Sequence, residues 1–193
     1  MCGRFTLRDS KRVQNEYGVK IDSNYNLVPG QEILVVSKKI EMMKWSFSPS
    51  WLNKPMNLIN ARSETLHEKP SFKGAKRCVI PADGWYEWHR KDNKKQPYFF
   101  HNRDEVFLFA GIYKKYNNEN GCALITKEAN NHLQKVHHRM PVLLKYEQAR
   151  DWLNGGDLFQ SNLSNEIEYY PVSNFVNNPT NNSINCVAEL VKS

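Results

Sequence analysis

Short apolar runs, rather than long amphipathic stretches, dominate the pattern of hydrophobic and polar residues along the chain. Eight such runs have the aromatic and β-branched content that is typical of strands, and turn-forming residues separate them. They comprise residues 32–36, 40–45, 78–80, 85–88, 98–100, 106–113, 123–126 and 142–144. The segment Asp92-Asn93-Lys94-Lys95 lies between two of them and predicts a hairpin connection.

Helical patterns are fewer and shorter. Ser10 is a candidate cap for a helix that runs through Tyr17 and ends at Gly18. Residues 128–136 and 145–153 have helical spacing as well, the latter ending before two glycines. With no internal repeat and no linker, residues 1–193 are predicted to form one α+β domain dominated by antiparallel strands.

Composition narrows the class of protein. Hydrophobic residues make up 40% of the 193 residues and charged residues 24%, which excludes disordered, collagen-like and coiled-coil chains. No apolar stretch approaches the roughly 18 residues of a membrane helix, and no signal-peptide pattern follows Met1, so a cytoplasmic protein is expected. The net charge of +7 favours a polyanionic partner such as nucleic acid, the alternative being a solvated basic surface.

Cys2 is the most reactive candidate, because removal of Met1 leaves a thiol and an α-amine on adjacent carbons. Such a 1,2-aminothiol condenses with an aldehyde to give first a Schiff base and then a five-membered thiazolidine. The alternative is an ordinary terminal residue. The four cysteines lie far apart and form no C-x-x-C pair, so they are expected to be reduced thiols and not metal ligands.

Two further segments carry candidate polar residues. Asn60 follows an apolar pair and can orient a nucleophile, or it can cap a turn; Arg62 can hold a phosphate with its planar fork or form a surface ion pair. Glu87 lies in an aromatic segment that includes Trp85 and Trp88, where desolvation raises a carboxyl pKa and suits it to acid–base work. The alternative for Glu87 is an ion pair at the edge of a core strand.

The last candidates lie in polar loops. His137-His138-Arg139 offers imidazoles and a guanidinium, either as an acid–base and phosphate-binding group or as surface residues. Trp51, on a proline-flanked loop, can stack on a base or belong to the core. The basic run 89–95 is interpreted as a solvated hairpin tip that can approach a phosphate backbone.

Together these pieces resemble the SOS response-associated peptidase (SRAP) family, some of whose members crosslink themselves to abasic sites in single-stranded DNA. The matching segments follow the family order along nearly the whole chain. They are Met1-Cys2-Gly3-Arg4-Phe5, Asn26-Leu27-Val28-Pro29-Gly30, residues 45–51, Asn60-Ala61-Arg62-Ser63-Glu64-Thr65, residues 77–88, His137-His138-Arg139-Met140-Pro141 and Pro171-Val172-Ser173.

The resemblance implies a fold and a site. The fold is a single SRAP-type α+β domain with a distorted antiparallel barrel-like core and a few short flanking helices. The catalytic residues implied are Cys2, Asn60, Glu87 and His137. Cys2 would form the thiazolidine, Asn60 would orient Cys2, Glu87 would transfer protons and His137 would favour opening of the sugar ring. The DNA-binding residues implied are Arg4, Arg62 and Arg139 on phosphates and Pro29 and Trp51 as a wedge.

The implied partner is single-stranded DNA with an abasic site, including single-strand to double-strand junctions. The protein is expected to act as a monomer in the bacterial cytoplasm, associated with the nucleoid when bound to DNA, and without a cofactor, a metal or a membrane. Self-reversal and autoproteolytic removal of Met1 are further implied activities. Two alternatives stay open: a cysteine peptidase or amidohydrolase that uses Cys2, His137 and Asn60, and a non-covalent single-strand binder.

Overall fold

Antiparallel strands make up most of the structure, a computed structural model that describes residues 2–49, 51–92, 94–103, 105–160 and 162–191. Within these ranges the chain forms thirteen strands and two α-helices, joined by short 3-10 turns. The strands are β1 Phe5–Leu7, β2 Asn24–Leu27, β3 Glu32–Val36, β4 Ile40–Lys44, β5 Asn60–Arg62, β6 Lys76–Ala82, β7 Gly84–Lys91, β8 Lys94–His101, β9 Phe107–Tyr116, β10 Glu119–Glu128, β11 Arg139–Pro141, β12 Leu143–Leu144 and β13 Glu168–Pro171. The helices are α1 Ser10–Tyr17 and α2 Ala149–Leu153.

The strands form two sheets. The first has five strands in the order β13-β8-β7-β1-β2, and the second has eight, in the order β11-β10-β4-β3-β6-β9-β12 with β5 beside β10. Pairing is antiparallel except where β10 runs parallel to β4 and to β5. The predicted α+β class, with a barrel-like antiparallel core and few short helices, is therefore confirmed.

Aromatic side chains fill the core between the two sheets. Phe5 of β1 meets Trp45 and Phe109 edge-on, with ring centroids 5.1 and 5.6 Å apart. Trp85 of β7 meets Phe107 and Phe109 of β9 edge-on, at 6.0 and 6.2 Å. Because large rings bury the most apolar area and pack in preferred geometries, these contacts fix β1 and β7 firmly against the second sheet.

A smaller core lies on the other face of the second sheet. Strand alternation sends Val79 to this face while Cys78 and Ile80 point into the main core. There Trp152 of α2 is fully buried, and its indole nitrogen donates to the carbonyl of Cys78 at 2.9 Å. The second sheet is thus covered on both faces, which holds its edges still for the site described below.

Each of the eight predicted strand segments overlaps a strand of the structure, with ends shifted by a few residues. The sequence pattern missed five strands: β1, β2, β5, β11 and β13. These have three or four residues each, too few for an alternation to be recognised. Tertiary pairing, rather than local propensity, makes them strands.

The predicted hairpin connection joins β7 to β8, which pair antiparallel up to Lys91 opposite Lys94. The observed connection is shorter than the predicted segment 92–95, because β8 already begins at Lys94. Asn93, within that segment, lies outside the described residues, as does Met1, so the removal of Met1 stays a prediction.

Helix α1 spans the predicted residues Ser10–Tyr17. Its cap is Asp9, whose carboxylate accepts from the backbone nitrogen of Arg12, so the predicted Ser10 cap was wrong by one position. The helix ends at Gly18, whose φ of 67° lies in the left-handed region that glycine adopts without a side-chain clash.

The other two predicted helices are shorter than expected. Residues 128–136 contain only a 3-10 turn at Leu133–Lys135, because β10 extends to Glu128 and the side chain of Asn130 then accepts from the backbone of Leu133. Residues 145–153 divide into a 3-10 turn, Tyr146–Gln148, and α2. No helix within the described ranges has the length and apolar character needed to cross a bilayer.

Asp83, at the turn between β6 and β7, ties the N-terminal strand to the rest of the molecule. Its carboxylate is 1% exposed and accepts from the Thr6 hydroxyl, the Arg8 backbone and guanidinium nitrogens and the Asp9 backbone nitrogen. The Arg8 Nε to Asp83 Oδ1 distance is 2.9 Å. A buried carboxylate with this many donors is well stabilised, whereas the donors without it are left unpaired.

We expect Asp83→Asn to lower the free energy of unfolding by about 3 kcal/mol, because it removes the charge of a buried pair and turns an acceptor oxygen into a donor. Urea denaturation at pH 7 measures the change. Asp22→Asn, at an exposed position, is the matched control and should change stability by at most about 0.5 kcal/mol. Equal effects of the two substitutions would show that Asp83 is not an anchor.

Candidate active site

The four predicted catalytic residues come from both sheets. Cys2 precedes β1 and Glu87 lies in β7, both in the five-stranded sheet, whereas Asn60 begins β5 and His137 precedes β11 in the other. The backbone nitrogen of Tyr86 donates to the carbonyl of Arg4 at 3.0 Å, which places the N-terminal segment alongside the strand that carries Glu87. The site therefore draws its residues from both sheets and lies where the two sheets meet.

Asn60 contacts Cys2 directly. Its side-chain nitrogen Nδ2 donates to the backbone carbonyl of Cys2 at 2.9 Å, and pairing with Leu124 of β10 holds its backbone. Because a carbonyl can only accept, this bond fixes the orientation of the Asn60 amide. The amide oxygen Oδ1 is buried and accepts no hydrogen bond from the described residues. It is thus a ready acceptor beside the N-terminal residue.

The thiol of Cys2 is enclosed. The residue is 0% exposed, and its Sγ donates to the carbonyl of Arg4 at 3.6 Å. Burial raises the pKa of the Cys2 thiol well above its ordinary value, and the charge of Glu87 adds to the rise. The sulfur is therefore protonated at neutral pH and needs a neighbouring base before it can act as a nucleophile.

Glu87 and His137 form an acid–base pair with opposed shifts. Oε2 of Glu87 lies 3.8 Å from Nδ1 of His137, which also lies 3.0 Å from the backbone nitrogen of Arg139. Burial raises the pKa of Glu87 to about 7 and lowers that of His137 to about 4. At neutral pH the imidazole is uncharged and the carboxyl exchanges its proton readily, which suits general acid–base catalysis.

A cleft of about 460 Å³ opens onto this pair. It is lined by Arg4, Glu87, Trp88, Arg90, Lys95, His137 and Asn177. Three cations thus surround a single acidic residue, an arrangement that attracts an anionic ligand and concentrates it at the site.

Arg4 forms one wall of the cleft and is held in place. Its guanidinium donates to the side-chain oxygen of Asn26 and to the carbonyl of Asn177, both at 3.1 Å, and to the carbonyl of Val176. Its guanidinium carbon lies 5.9 Å from the centre of the Trp88 ring. Fixing the side chain in advance lowers the entropy cost of binding an anion.

Arg62 and Arg139 are placed differently from one another. Arg62 is exposed and lines a second cleft of about 350 Å³, which His138 and Arg139 also line. The side chain of Arg139 is 6% exposed and forms a two-bond pair with Glu64, at 2.7 and 3.0 Å, while also donating to the carbonyl of Thr126. The hydrogen bonds of Arg139 lower the pKa of Glu64 to about 2.

The exposure of Arg62 fits the predicted phosphate contact. The same prediction for Arg139 now requires that Glu64 share or release the guanidinium. As the structure has it, Arg139 instead positions His137, because its backbone nitrogen and carbonyl lie 3.0 and 3.1 Å from the imidazole Nδ1. Both phosphate contacts stay predictions.

Pro29 and Trp51 lie on two loops that leave the same end of the β3–β4 hairpin. Gly30 donates to the carbonyl of Trp45, and Trp45 donates to the carbonyl of Gln31, so the two loops start side by side. Pro29 is exposed and Trp51 is 61% exposed. Such rings are available to stack on a base, and the predicted wedge remains a prediction.

Two residues of the main cleft were missed by sequence reasoning. Trp88 and Asn177 are joined by a bond of 2.8 Å from the indole nitrogen to the amide oxygen. Asn177 belongs to an Asn-rich stretch that is typical of a surface loop, and nothing local signals that it contacts a strand 89 residues away. Asn26 is the residue that could have pointed to this contact, because it lies in a segment quoted for the family resemblance. Its side-chain nitrogen donates to the carbonyls of Val176, Asn178 and Asn181 in the same loop.

Solved structures share the fold. A protein from Bacteroides thetaiotaomicron superposes with a TM-score of 0.81, covering 98% of this chain and 100% of its own at 22% identity. A protein from Bordetella bronchiseptica gives 0.76, covering 89% of this chain and 100% of its own at 21% identity. At such low identities the likeness concerns the fold alone.

Three relatives match between 77% and 100% of the chain in sequence. The abasic site processing protein YoaM of Bacillus subtilis is 35% identical over 95% of this chain and 96% of its own. YedK of Escherichia coli, with the same descriptive name, is 29% identical over 100% and 99%. The abasic site processing protein HMCES of Xenopus tropicalis is 32% identical over 77% of this chain and 57% of its own.

The family assignment follows from the extent of these matches. The family model of the SOS response associated peptidase (SRAP) matches residues 1–179, a range that includes every residue of the predicted site. The resemblance inferred from the sequence is thereby confirmed, and this chain belongs to the SRAP family.

Proposed function

We propose that this protein processes abasic sites in DNA by capturing the open-chain sugar aldehyde covalently on Cys2, once Met1 has been removed. The observation that carries the proposal is the grouping of four residues: Asn60 binds Cys2, the charge of Glu87 acts on the Cys2 thiol, and Glu87 lies beside His137. Glu87 and His137 line a cleft that also carries three cations. The names of the relatives, abasic site processing proteins, support the same substrate.

The first step joins the α-amine of Cys2 to the C1′ carbon of the aldehyde. An α-amine has a pKa of about 8, so a useful fraction is unprotonated at neutral pH. Asn60 Oδ1, which lacks a donor among the described residues, accepts one amine hydrogen and aims the nitrogen lone pair at the carbonyl carbon. Addition gives a carbinolamine, and loss of one water then gives the Schiff base.

The second step closes the ring. The Cys2 sulfur adds to the imine carbon, the thiol proton passes to Glu87, and Glu87 returns a proton to the imine nitrogen. A carboxyl whose pKa is about 7 can do both at neutral pH. The product is a thiazolidine, and the whole reaction releases one water molecule. The same transfers in reverse open the ring, which accounts for self-reversal.

His137 acts on the sugar before capture. We assign it the donation of a hydrogen bond to the ring oxygen, which favours the open aldehyde over the closed hemiacetal. Burial lowers its pKa to about 4, so His137 is an uncharged imidazole at neutral pH and acts by donating a hydrogen bond from a ring N–H. Glu87, 3.8 Å away and with a pKa of about 7, is the group that gains and loses a proton at that pH.

Peptidase chemistry at Cys2 fits the site less well. A cysteine peptidase needs a thiolate, which a nearby imidazolium normally stabilises. Here the pKa of the thiol is raised by burial, and its sulfur donates to the Arg4 carbonyl. The α-amine of Cys2 does not depend on ionisation of the thiol, so attack of the amine on an aldehyde fits the site better than attack of a thiolate on a peptide bond.

We expect a single-stranded oligonucleotide with one abasic site to form a heat-stable adduct with the Met1-processed protein on a denaturing gel. Mass spectrometry should give the sum of the two masses less one water. Cys2→Ala should abolish the band, whereas Cys122→Ala, which removes a thiol buried elsewhere, should retain it. An adduct that survives Cys2→Ala, or its absence with a verified Cys2 terminus, would overturn the proposal.

A division of roles should appear in kinetics. Glu87→Gln should slow ring closure of bound DNA by about 100-fold with little change in DNA affinity, because the side chain transfers protons and need not touch a phosphate. Arg62→Ala should weaken binding to the single strand and reduce the salt slope by about 0.7. Single-turnover rates over a range of DNA concentrations separate the two effects, and the same defect in both variants would contradict the assignment.

The pH dependence of stability tests the burial of Glu87. Its pKa is raised from 4.5 to about 7, so the folded protein holds this proton more tightly than the unfolded chain. That contribution is complete below about pH 4.5 and is lost as the pH rises through 7. Glutamine has no proton to lose, so Glu87→Gln should not show this fall in stability. As the pH rises from about 4.5 to 8, its free energy of unfolding should therefore gain on the order of 3 kcal/mol relative to the parent, as measured by urea denaturation. An unchanged difference would show that Glu87 titrates normally.

A further inference from the structure

The hairpin formed by β7 and β8 places two cations side by side near its end. In its register Arg90 lies directly opposite Lys95. Like charges placed directly opposite on neighbouring strands are destabilising. The pair therefore costs stability in the free protein, which points to a compensating anion that binds there.

This pair faces the active site. Arg90 and Lys95 are both exposed, and both line the cleft that contains Glu87 and His137. Neither side chain has a hydrogen bond or ion pair with another residue of the described ranges. Their charges are thus available to a ligand, unlike that of Arg139, which Glu64 occupies.

The cations are carried on a rigid support. β7 and β8 have eight residues each and pair along the hairpin from Trp85 opposite Phe100 onwards. Side chains on paired strands hold their positions better than those on a loop, which favours a defined contact over diffuse attraction. Arg4, on the adjoining wall, adds a third cation, whose side chain is held by hydrogen bonds.

We propose that Arg90 and Lys95 clamp the phosphodiester backbone of the DNA strand that carries the lesion, beside the nucleotide that reacts with Cys2. This inference rests on the proposed function, since it takes DNA as the ligand of the cleft. Arg90 lies three positions after Glu87, about 10 Å along β7. The clamp therefore holds a neighbouring phosphate rather than the reacting sugar, and the planar fork of Arg90 can bind two phosphate oxygens at once.

The test measures non-covalent binding of the double variant Arg90→Gln/Lys95→Gln to a lesion-free single-stranded oligonucleotide. Losing two phosphate contacts should reduce the slope of log K against log salt by about 1.4 and weaken binding at least tenfold at about 0.1 M salt. The matched control is Lys11→Gln/Lys20→Gln, which removes the same charge from exposed positions in and after α1. The control should keep the parental slope; equal slopes for all three proteins, or equal losses in both variants, would overturn the clamp.

Two readouts separate the clamp from a folding defect and from the lesion chemistry. Because the variant removes a like-charge pair, its urea midpoint should equal or exceed that of the parent, and a lower midpoint would contradict the charge argument. Lesion-free DNA cannot be captured covalently, so the binding result stands even if the parent fails to crosslink abasic DNA. In that case the proposed function fails and the clamp on single-stranded DNA does not.

The position of the clamp can be located with shortened oligonucleotides. Nucleotides are removed one at a time from the 5′ or the 3′ side of a tetrahydrofuran analogue of the abasic site, which cannot open to an aldehyde, so that binding stays non-covalent. The difference in affinity between proteins with and without Arg90 and Lys95 should vanish when the contacted phosphates are lost from one side. A difference that persists on both sides, or falls equally on both, would overturn a contact with one defined backbone segment.

Discussion

The site depends on the immobilisation of a chain end. Terminal residues fray unless something ties them down, and Cys2, the proposed nucleophile, lies three residues before the first strand of the structure. Here the tie is the buried carboxylate of Asp83, which receives donors from Thr6, Arg8 and Asp9. Asp83 also directly precedes the strand that bears Glu87, so one side chain helps to set how Cys2, the proposed nucleophile, lies relative to Glu87, the proposed proton carrier.

Desolvation is the common cause of the chemistry. The same exclusion of water raises the pKa values of the Cys2 thiol and the Glu87 carboxyl and lowers that of the His137 imidazole. All three groups are therefore neutral over a range of pH in which free side chains carry charge. Near neutral pH only Glu87 of the three changes its charge, because its pKa is about 7, whereas Arg90 and Lys95 carry their charges at the exposed rim of the cleft.

The sequence predicts the parts of the fold that have a local cause. Eight strands show a pattern of their own, but β1 and β5, which position Cys2 and Asn60, consist of three residues each and exist only through their partners. No spacing rule brings Asn60 to the carbonyl of Cys2 across 58 residues; the family resemblance supplied that grouping. Arg139 differs from its sequence-based prediction in exposure. Its motif suggests an exposed phosphate contact, but the side chain is buried in an ion pair with Glu64, which belongs to a distant motif.

The wall that Arg4 forms joins the two ends of the chain, since its guanidinium bonds to the carbonyls of Val176 and Asn177. The cleft is therefore incomplete until most of the protein has left the ribosome. At about 5–20 residues per second, synthesis leaves the N-terminus outside a finished site for roughly ten seconds or more. Arg4 is therefore made long before its partners, and this wall of the cleft forms only when a segment 172 residues further along the chain folds against it.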